Sequence, residues 1–444
     1  MGKGFGFLFE MGCGKTLTAI ATMGAMYEAE KISRVLVVAP TSVCPVWPAD
    51  LERFAGFPVE CAVLLGDKKK RLQALRDLSD QPGLQIAVIN YESTHREGIF
   101  EALLEWKPDL VIADESQRIK THNAAQSKAM HAIGDAAPYK LILSGTPVQN
   151  GAADLYSQYR FMDASVFGSN FYAFRNRFCR MGGYQQKQIV GYKDMDALIQ
   201  KEASASYRVT KAECLDLPEQ TFERRYVRFS PSERRIYDQL CRDSVAELEC
   251  GGKITAATVL TRILRLQQLT GGFLQLDEAR APISANRSKL DALEDILDDY
   301  VLETGRKLVI FAKFISEIMA ISELLIKKRI GFGLIAGSVA TAERGAIVED
   351  FQTNPETKVF VAQIQTAGLG ITLHAADVAV FYSLDYNYAN YSQAVARIHR
   401  IGQKNACTYI HLMVERSIDD KIMAALEAKE DLAKTVVDGW RNYF

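Results

Sequence analysis

A chain of 444 residues exceeds the size at which a single hydrophobic core usually divides, so at least two domains are expected. Its 48% apolar and 24% charged residues exclude a disordered or fibrous protein, and a net charge of −1 confines any nucleic-acid surface to a local basic stripe. Eight cysteines without a CxxC pair, no secretory leader and no apolar run near the roughly 20 residues that span a bilayer argue against a disulfide scaffold, a zinc site or a membrane protein.

In chain order, FGFLFE, VLVVAP (35–40), LQIAVIN (84–90), LVIADE (110–115) and LILSGT (141–146) read as buried strands. Helical patterns such as KTLTAIATMGAMYEAE and RLQALRDLSD separate them, and this βαβα order predicts a parallel sheet with helices on both faces. From about 151 to 210 the pattern becomes helical, aromatic and basic. TFERRYVRF reads as a strand, and helices follow to about 275. A second βα series runs through KLVIFAKF (307–314), FGLIAG, KVFVAQI (358–364), VAVFYSL (378–384) and CTYIHLM (407–413). The expected fold is α/β, with two parallel-sheet lobes at 1–228 (helical insertion about 151–210) and 229–444 (helical segment about 231–275).

Function in such sheets collects at the carboxyl ends of the strands, and the chemistry-bearing residues fall there. After the first strand comes Glu10-Met11-Gly12-Cys13-Gly14-Lys15-Thr16, then a helix. Gly12 and Gly14 let backbone N–H groups curl around a phosphate, Lys15 would reach the β- and γ-phosphates, and the Thr16 hydroxyl would ligate Mg²⁺. The longer form of this pattern has glycine where Phe9 stands, so the match is to the shortened GxGKT. Asp114 and Glu115 end an apolar strand; Asp114 suits Mg²⁺ held through water, and Glu115 suits the orientation or deprotonation of an attacking water. In YSQAVARIHRIGQ (391–403), Arg397 and Arg400 lie three apart and are expected on one helical face. Positive charge of that kind, supplied from a second lobe, would stabilise a transferring γ-phosphoryl group and tie chemistry to closure.

Taken together, these motifs resemble the Swi/Snf-type group of superfamily 2 helicase-like ATPases, in a compact form that suits a bacterial or phage protein. EMGCGKT, VVAPTSVCPVWPADLERF with Trp47, DESQRIKTHNAAQSKA with Lys120, LSGTPVQN and DLYSQYRFMDASVFGS follow the family's order in the first half. KLVIFAKF, IQTAGLGITLHAADVAVFYSLDYN and QAVARIHRIGQ do so in the second. The resemblance implies two tandem RecA-like lobes with ATP and Mg²⁺ in the cleft between them, and a DNA-dependent ATPase that tracks duplex DNA. On this basis Gly12, Cys13, Gly14, Lys15, Thr16, Gly370, Arg397 and Arg400 would bind ATP, Thr16 and Asp114 would hold Mg²⁺, and Lys15, Glu115, Arg397 and Arg400 would carry catalysis. Thr41, Ser144, Thr146, Thr366 and Gln393 would line the path between nucleotide and DNA, with Gly368 at the lobe interface. Backbone tracking implies low sequence preference and high salt sensitivity.

The chain also departs from the family pattern. The family carries an adenine-recognising segment upstream of its phosphate loop, and this chain reaches its first strand almost at once; either the chain is a truncated product or other groups grip adenine. The acid motif ends Ser116-Gln117 instead of Ala-His or Gly-His, and Tyr386 precedes Asn387 where the family has tryptophan, so an aromatic contact is expected to persist there. The stretch Phe171 to Tyr184 reads first as an amphipathic helical insert and second as a DNA contact. His374 and His399 lack metal-type neighbours and read as structural. Two alternatives remain beside the translocase: a strand-separating helicase or restriction or repair motor, and a DNA clamp with little hydrolysis. The expected setting is cytoplasmic or nucleoid-associated, nuclear in a eukaryote, without a membrane.

Overall fold

The computed structural model describes residues 4–183, 187–249, 256–274, 282–337, 339, 341–369 and 371–438. The chain forms two compact units: the residues up to Asp216 together with those from Lys429 onward, and Leu217–Ala428. Its strands in chain order are β1 (Gly4–Phe9), β2 (Arg34–Ala39), β3 (Val59–Val63), β4 (Leu84–Asn90), β5 (Leu110–Asp114), β6 (Tyr139–Leu143), β7 (Cys179–Gly182), β8 (Gln188–Tyr192) and β9 (Ser206–Val209) in the first unit. The second contains β10 (Gln220–Val227), β11 (Phe273–Leu274), β12 (Ile283–Ser284), β13 (Leu308–Ala312), β14 (Gly331–Ile335), β15 (Thr357–Gln363), β16 (Val378–Phe381) and β17 (Cys407–Val414).

The first unit is built on a seven-stranded sheet ordered β3-β4-β2-β5-β6-β1-β9, with every pairing parallel. Alternate residues of its inner strands enter two separate cores. Leu36, Val38, Ala87, Ile89, Val111 and Ala113 pack on one face, and Val35, Val37, Ile86, Val88, Leu110 and Ile112 on the other. A sheet buried on both faces needs apolar side chains at every position, which is why these strands read as unbroken apolar runs. The crossover helices Lys15–Glu28, Lys68–Ser79, Ile99–Trp106 and Ala125–Ala136 cover those faces.

The second unit repeats the plan with six parallel strands ordered β10-β17-β16-β13-β15-β14. Leu308, Ile310, Val359, Val361, Val378 and Val380 face one core, while Val309, Phe311, Phe360, Ala362, Ala379 and Phe381 face the other. The chain is therefore α/β with two parallel-sheet lobes.

Three elements differ from the sequence reading. The boundary expected after residue 228 falls between Asp216 and Leu217, because β10 pairs along the whole of β17 from Gln220↔Cys407 to Val227↔Val414. The chain also returns to the first unit: Val436 and Val437, in the helix Ile418–Asp438, are buried in its core. Within the expected helical insertion, the helices Asp154–Met162, Phe171–Phe178 and Met195–Ala203 form, but so do the hairpin β7–β8 and the strand β9, which extends the sheet beside β1. In Phe171–Phe178, Phe174 and Phe178 are buried while Arg177 pairs with Asp194, as an amphipathic insert requires; Tyr184 lies outside the described residues.

Candidate functional site

Register places the motifs of the first unit along one sheet edge. Phe7 on β1 and Asp114 on β5 both pair with Leu143, the last residue of β6. The loops that follow these three strands therefore leave the sheet side by side. The loop after β1 curls through Gly12 (φ 90°) and Gly14 (φ 83°), left-handed conformations that glycine adopts without strain, and the helix starts at Lys15. Its first N–H groups have no partner within the helix, and this end of the helix dipole is positive, so the turn suits an anionic group. Lys15 Nζ donates to the Phe9 carbonyl at 3.0 Å and the Glu10 carbonyl at 3.4 Å. Both acceptors are neutral, so a phosphate oxygen would be the stronger partner. A Cβ on Gly145, in the loop after β6, would stand 3.3 Å from the Phe9 carbonyl and 3.4 Å from Lys15 Nζ, a tight fit that favours glycine.

Asp114 is buried, and two rings hold it. The Trp47 indole N–H donates to Oδ2 at 3.1 Å, and the Tyr91 hydroxyl donates to the main-chain carbonyl at 2.8 Å. Burial pushes the carboxyl up to about 7, and the charge of Glu115 adds to the rise, while Lys15 and the indole N–H oppose it. Glu115 sits at φ 52°, a strained backbone for a non-glycine residue. The Gln117 amide donates to Glu115 Oε2 and its carbonyl oxygen accepts the Ser144 hydroxyl at 2.7 Å. Ser144 Oγ in turn accepts the Thr146 backbone N–H at 3.1 Å, and the buried Thr146 hydroxyl has no partner among the described residues. A hydrogen-bonded chain thus runs Glu115–Gln117–Ser144–Thr146. Lys120 extends the edge through a bond to Gln149.

The residues present fit Mg²⁺. Asp114 offers a hard oxygen donor whose ionised form is disfavoured by burial and by its acidic neighbour, a cost that a divalent cation would offset. Among the described residues no three His, Cys, Asp or Glu side chains converge into a metal cage. Mg²⁺ characteristically needs only one or two carboxylates when phosphates and water supply the rest.

An arginine that sequence reading did not single out secures the phosphate loop. Arg208 on β9 is buried, donates to the carbonyls of Leu8 (2.8 Å) and Gly145 (3.3 Å), and pairs with Glu10 at 3.1 Å. The other Glu10 oxygen accepts the Lys211 N–H at 2.9 Å. Burial pushes the Cys13 thiol up to about 12, helped by the neighbouring Cys214 thiol. Thr41, after β2, is exposed, with its hydroxyl 3.5 Å from Glu92.

In the second unit Arg397 and Arg400 are not on a helical face. The helix Tyr388–Val395 ends before them: the Arg397 N–H bonds to Ala394 in a tighter turn, and the Arg397 carbonyl accepts the Leu373 N–H instead of continuing the helix. The turn still gathers the two side chains, since Nη1 of each donates to the Ile371 carbonyl, at 3.3 Å from Arg397 and 3.2 Å from Arg400. Burial lowers the Arg400 pKa from its ordinary value. Gln403 braces the turn through bonds to the Ala376, Ile398 and His374 carbonyls. Burial, with Arg400 adding to it, holds His374 below its ordinary value, and His399 bonds to the Pro218 carbonyl at 2.8 Å. Thr366 bonds to the Gln363 carbonyl at 2.6 Å, and Gln393 is half-buried on the helix Tyr388–Val395. Tyr386 packs against the core, while the Asn387 side chain caps that helix by accepting the Ala389 N–H at 3.0 Å. Gly370 lies outside the described residues, and the side chains around it are not described.

Comparison with known proteins matches residues 5–271 to the SNF2-related domain and residues 288–402 to the helicase conserved C-terminal domain. The chain is 26% identical to an uncharacterized ATP-dependent helicase of Mycoplasma genitalium, over 98% of this chain and 40% of the relative. It is 28% identical to the Caenorhabditis elegans homolog of SWI/SNF-related matrix-associated actin-dependent regulator of chromatin subfamily A-like protein 1, over 95% of this chain and 58% of the relative. It thus spans about half the length of these curated relatives. Among solved structures it is similar to the Sulfolobus solfataricus SWI2/SNF2 ATPase core in complex with dsDNA, at 24% identity and a TM-score of 0.43, over 99% of this chain and 89% of that one.

Proposed function

Since the chain belongs to the SNF2-related family, whose model covers residues 5–271, we propose that it is a motor that hydrolyses ATP to ADP and phosphate while tracking duplex DNA. The observation that carries this reading is the hydrogen-bonded edge of the first unit, where the phosphate loop, the acid pair and the Ser144–Thr146 loop lie together.

In this mechanism Gly12 and Gly14 present backbone N–H groups to the phosphates, joined by Cys13 once its N–H leaves the Glu10 carbonyl, which it meets at 3.1 Å, and Lys15 exchanges two neutral carbonyls for phosphate oxygens. Thr16 and Asp114 would hold Mg²⁺, which supplies charge neutralisation at the β- and γ-phosphates. Glu115, oriented by Gln117, positions and deprotonates the attacking water. Arg397 and Arg400 of the second lobe neutralise charge spreading over the γ-phosphoryl oxygens, leaving the Ile371 carbonyl to do so. Gly370 contributes to nucleotide binding. Thr41, Ser144, Thr146, Thr366 and Gln393 belong to the path by which nucleotide state reaches DNA.

Contacts to duplex DNA are expected to be mainly to phosphate, with low sequence preference and affinity that falls steeply with salt. Among the described residues no helix is long and apolar enough to cross a membrane, and the proposed setting is cytoplasmic or nucleoid-associated, nuclear in a eukaryote.

The deciding experiment is ATP turnover without nucleic acid, with single strands and with duplex. Stimulation by duplex that disappears in Glu115→Gln supports the motor. Absence of hydrolysis under every condition replaces it with a DNA clamp, and directional unwinding of a forked substrate replaces it with a strand-separating helicase.

A further inference from the structure

The buried indole of Trp47 has no part in the mechanism above. It belongs to the helix Val46–Phe54 that follows β2, is 1% exposed, and packs in the core that contains Cys44 and Leu51. Apolar packing accounts for burying the ring. It does not account for the polar edge, which points Nε1 at Asp114 Oδ2 over 3.1 Å. An indole N–H donates and never accepts, so this contact requires a lone pair on that particular oxygen. The Tyr91 hydroxyl meanwhile fixes the main-chain carbonyl of the same residue at 2.8 Å. Asp114 is therefore held at two separate points, by rings that follow β2 and β4, the two strands beyond β5 on the side away from the phosphate loop.

We propose that Trp47 is a positioning residue for the Mg²⁺-holding carboxylate: its indole N–H occupies Oδ2 and fixes the rotation of the Asp114 side chain, so that the carboxylate meets the ion and its water shell in one orientation. This rests on the reading of Asp114 as a metal-holding group and is independent of whether the chain moves on DNA. Outer partners of this kind orient the groups that hold a metal, and their removal typically weakens metal affinity or activity about 10- to 100-fold.

The test is binding of a fluorescent ADP analogue across a Mg²⁺ titration and in EDTA, needing neither DNA nor turnover. Trp47→Phe removes the donor and keeps an aromatic ring. Replacement of Trp47 by benzothienylalanine puts sulfur where the N–H stands and keeps the whole fused ring, so it serves if Trp47→Phe does not fold. The half-saturating Mg²⁺ concentration is expected to rise about 10- to 100-fold in either variant, with binding in EDTA unchanged. An unchanged Mg²⁺ dependence overturns the proposal. Equal weakening with and without the metal also overturns it, because that is the signature of packing alone. Failure of the motor reading appears separately, as absent duplex stimulation beside an intact Mg²⁺ response.

Discussion

The two lobes share a parallel-sheet plan but hold their functional side chains differently. At the edge of the first, charged or donor-matched partners hold the three acids, Glu10 on Arg208, Asp114 on Trp47 and Glu115 on Gln117, while Lys15 rests on the neutral Phe9 and Glu10 carbonyls. In the second, the two arginines donate to one neutral carbonyl, that of Ile371. A cation on a neutral carbonyl gives up less when it leaves than one on a carboxylate, because no opposite charge is separated. The acids of the first lobe are thus held in place, whereas Lys15 and the two arginines each donate to carbonyls whose attraction a phosphate would exceed. Acids fixed by their partners suit the orientation of a metal and a water, and cations on neutral acceptors suit exchange onto a phosphate.

The largest expected effect follows from that contrast. Arg400→Ala should retain ATP binding and lose turnover by about 10³-fold or more, the scale of an arginine that meets the transferring phosphoryl group. Parallel measurement of nucleotide affinity and steady-state hydrolysis checks it, and strong residual turnover would break the contrast. Arg208→Met acts on the first lobe and should do the reverse, lowering stability and ATP affinity together. It leaves Glu10 and the Leu8 and Gly145 carbonyls short of a donor, a loss of about 2 kcal/mol after allowing for the partial exposure of Glu10. Urea unfolding and equilibrium ATP binding read both quantities.

Those two arginines also mark what was legible in the sequence. Inner strands were legible because burial on both faces leaves an unbroken apolar run, and the phosphate loop and acid pair because each is contiguous in the chain. Arg208 was hidden: β9 is four residues inside a helical stretch, and its pairing with β1 spans most of the first unit. β3 was missed as a half-buried strand interrupted by Glu60. The i, i+3 spacing of Arg397 and Arg400 suggested a helix face because spacing does not register the Leu373 N–H that takes the Arg397 carbonyl and ends the helix. Gln117 stood out only as a departure from a motif; its partner Ser144 lies beyond the next strand, β6.

A smaller effect is set by pH at one buried histidine of the second lobe. In the second, His411 is buried, with Nδ1 on the Glu223 carbonyl at 3.3 Å and Nε2 on the Tyr391 hydroxyl at 3.1 Å, and Arg224 nearby. Burial lowers it from 6.5 to about 4. Between those values the unfolded chain takes up a proton that the folded lobe refuses, so this contribution to stability falls as pH drops from 6.5 towards 4. The buried carboxyls have the opposite sign. Burial raises Glu317 in the second lobe and Asp114 in the first to about 7, so each favours the folded state increasingly as pH falls below 7. His411→Gln keeps a donor and an acceptor, and its difference from the parent isolates the histidine. The variant should gain on the order of 2 kcal/mol on the parent between pH 6.5 and 4 and nothing above 7, measured by urea unfolding across pH. An equal difference at every pH would make His411 a packing residue only.

The smallest effect probes whether the edge of the first lobe does more than bind. Gln117 uses both ends of its amide, donating to Glu115 and accepting from Ser144, whose oxygen holds the Thr146 N–H. Gln117→Leu keeps similar bulk but leaves the Ser144 hydroxyl without its acceptor and Glu115 without its donor. ATP affinity should be unchanged, because neither end of the amide touches the phosphate loop. Duplex-stimulated turnover should fall about tenfold, the kinetic equivalent of about 1.4 kcal/mol and within the range for one buried hydrogen-bonding group left unpaired. Turnover without DNA should fall less, since a relay between the catalytic acid and the loop after β6 matters most when DNA acts through that loop. Equal loss with and without duplex would reduce Gln117 to a support for Glu115, and the first lobe would then be a binding edge with no channel to DNA through this route.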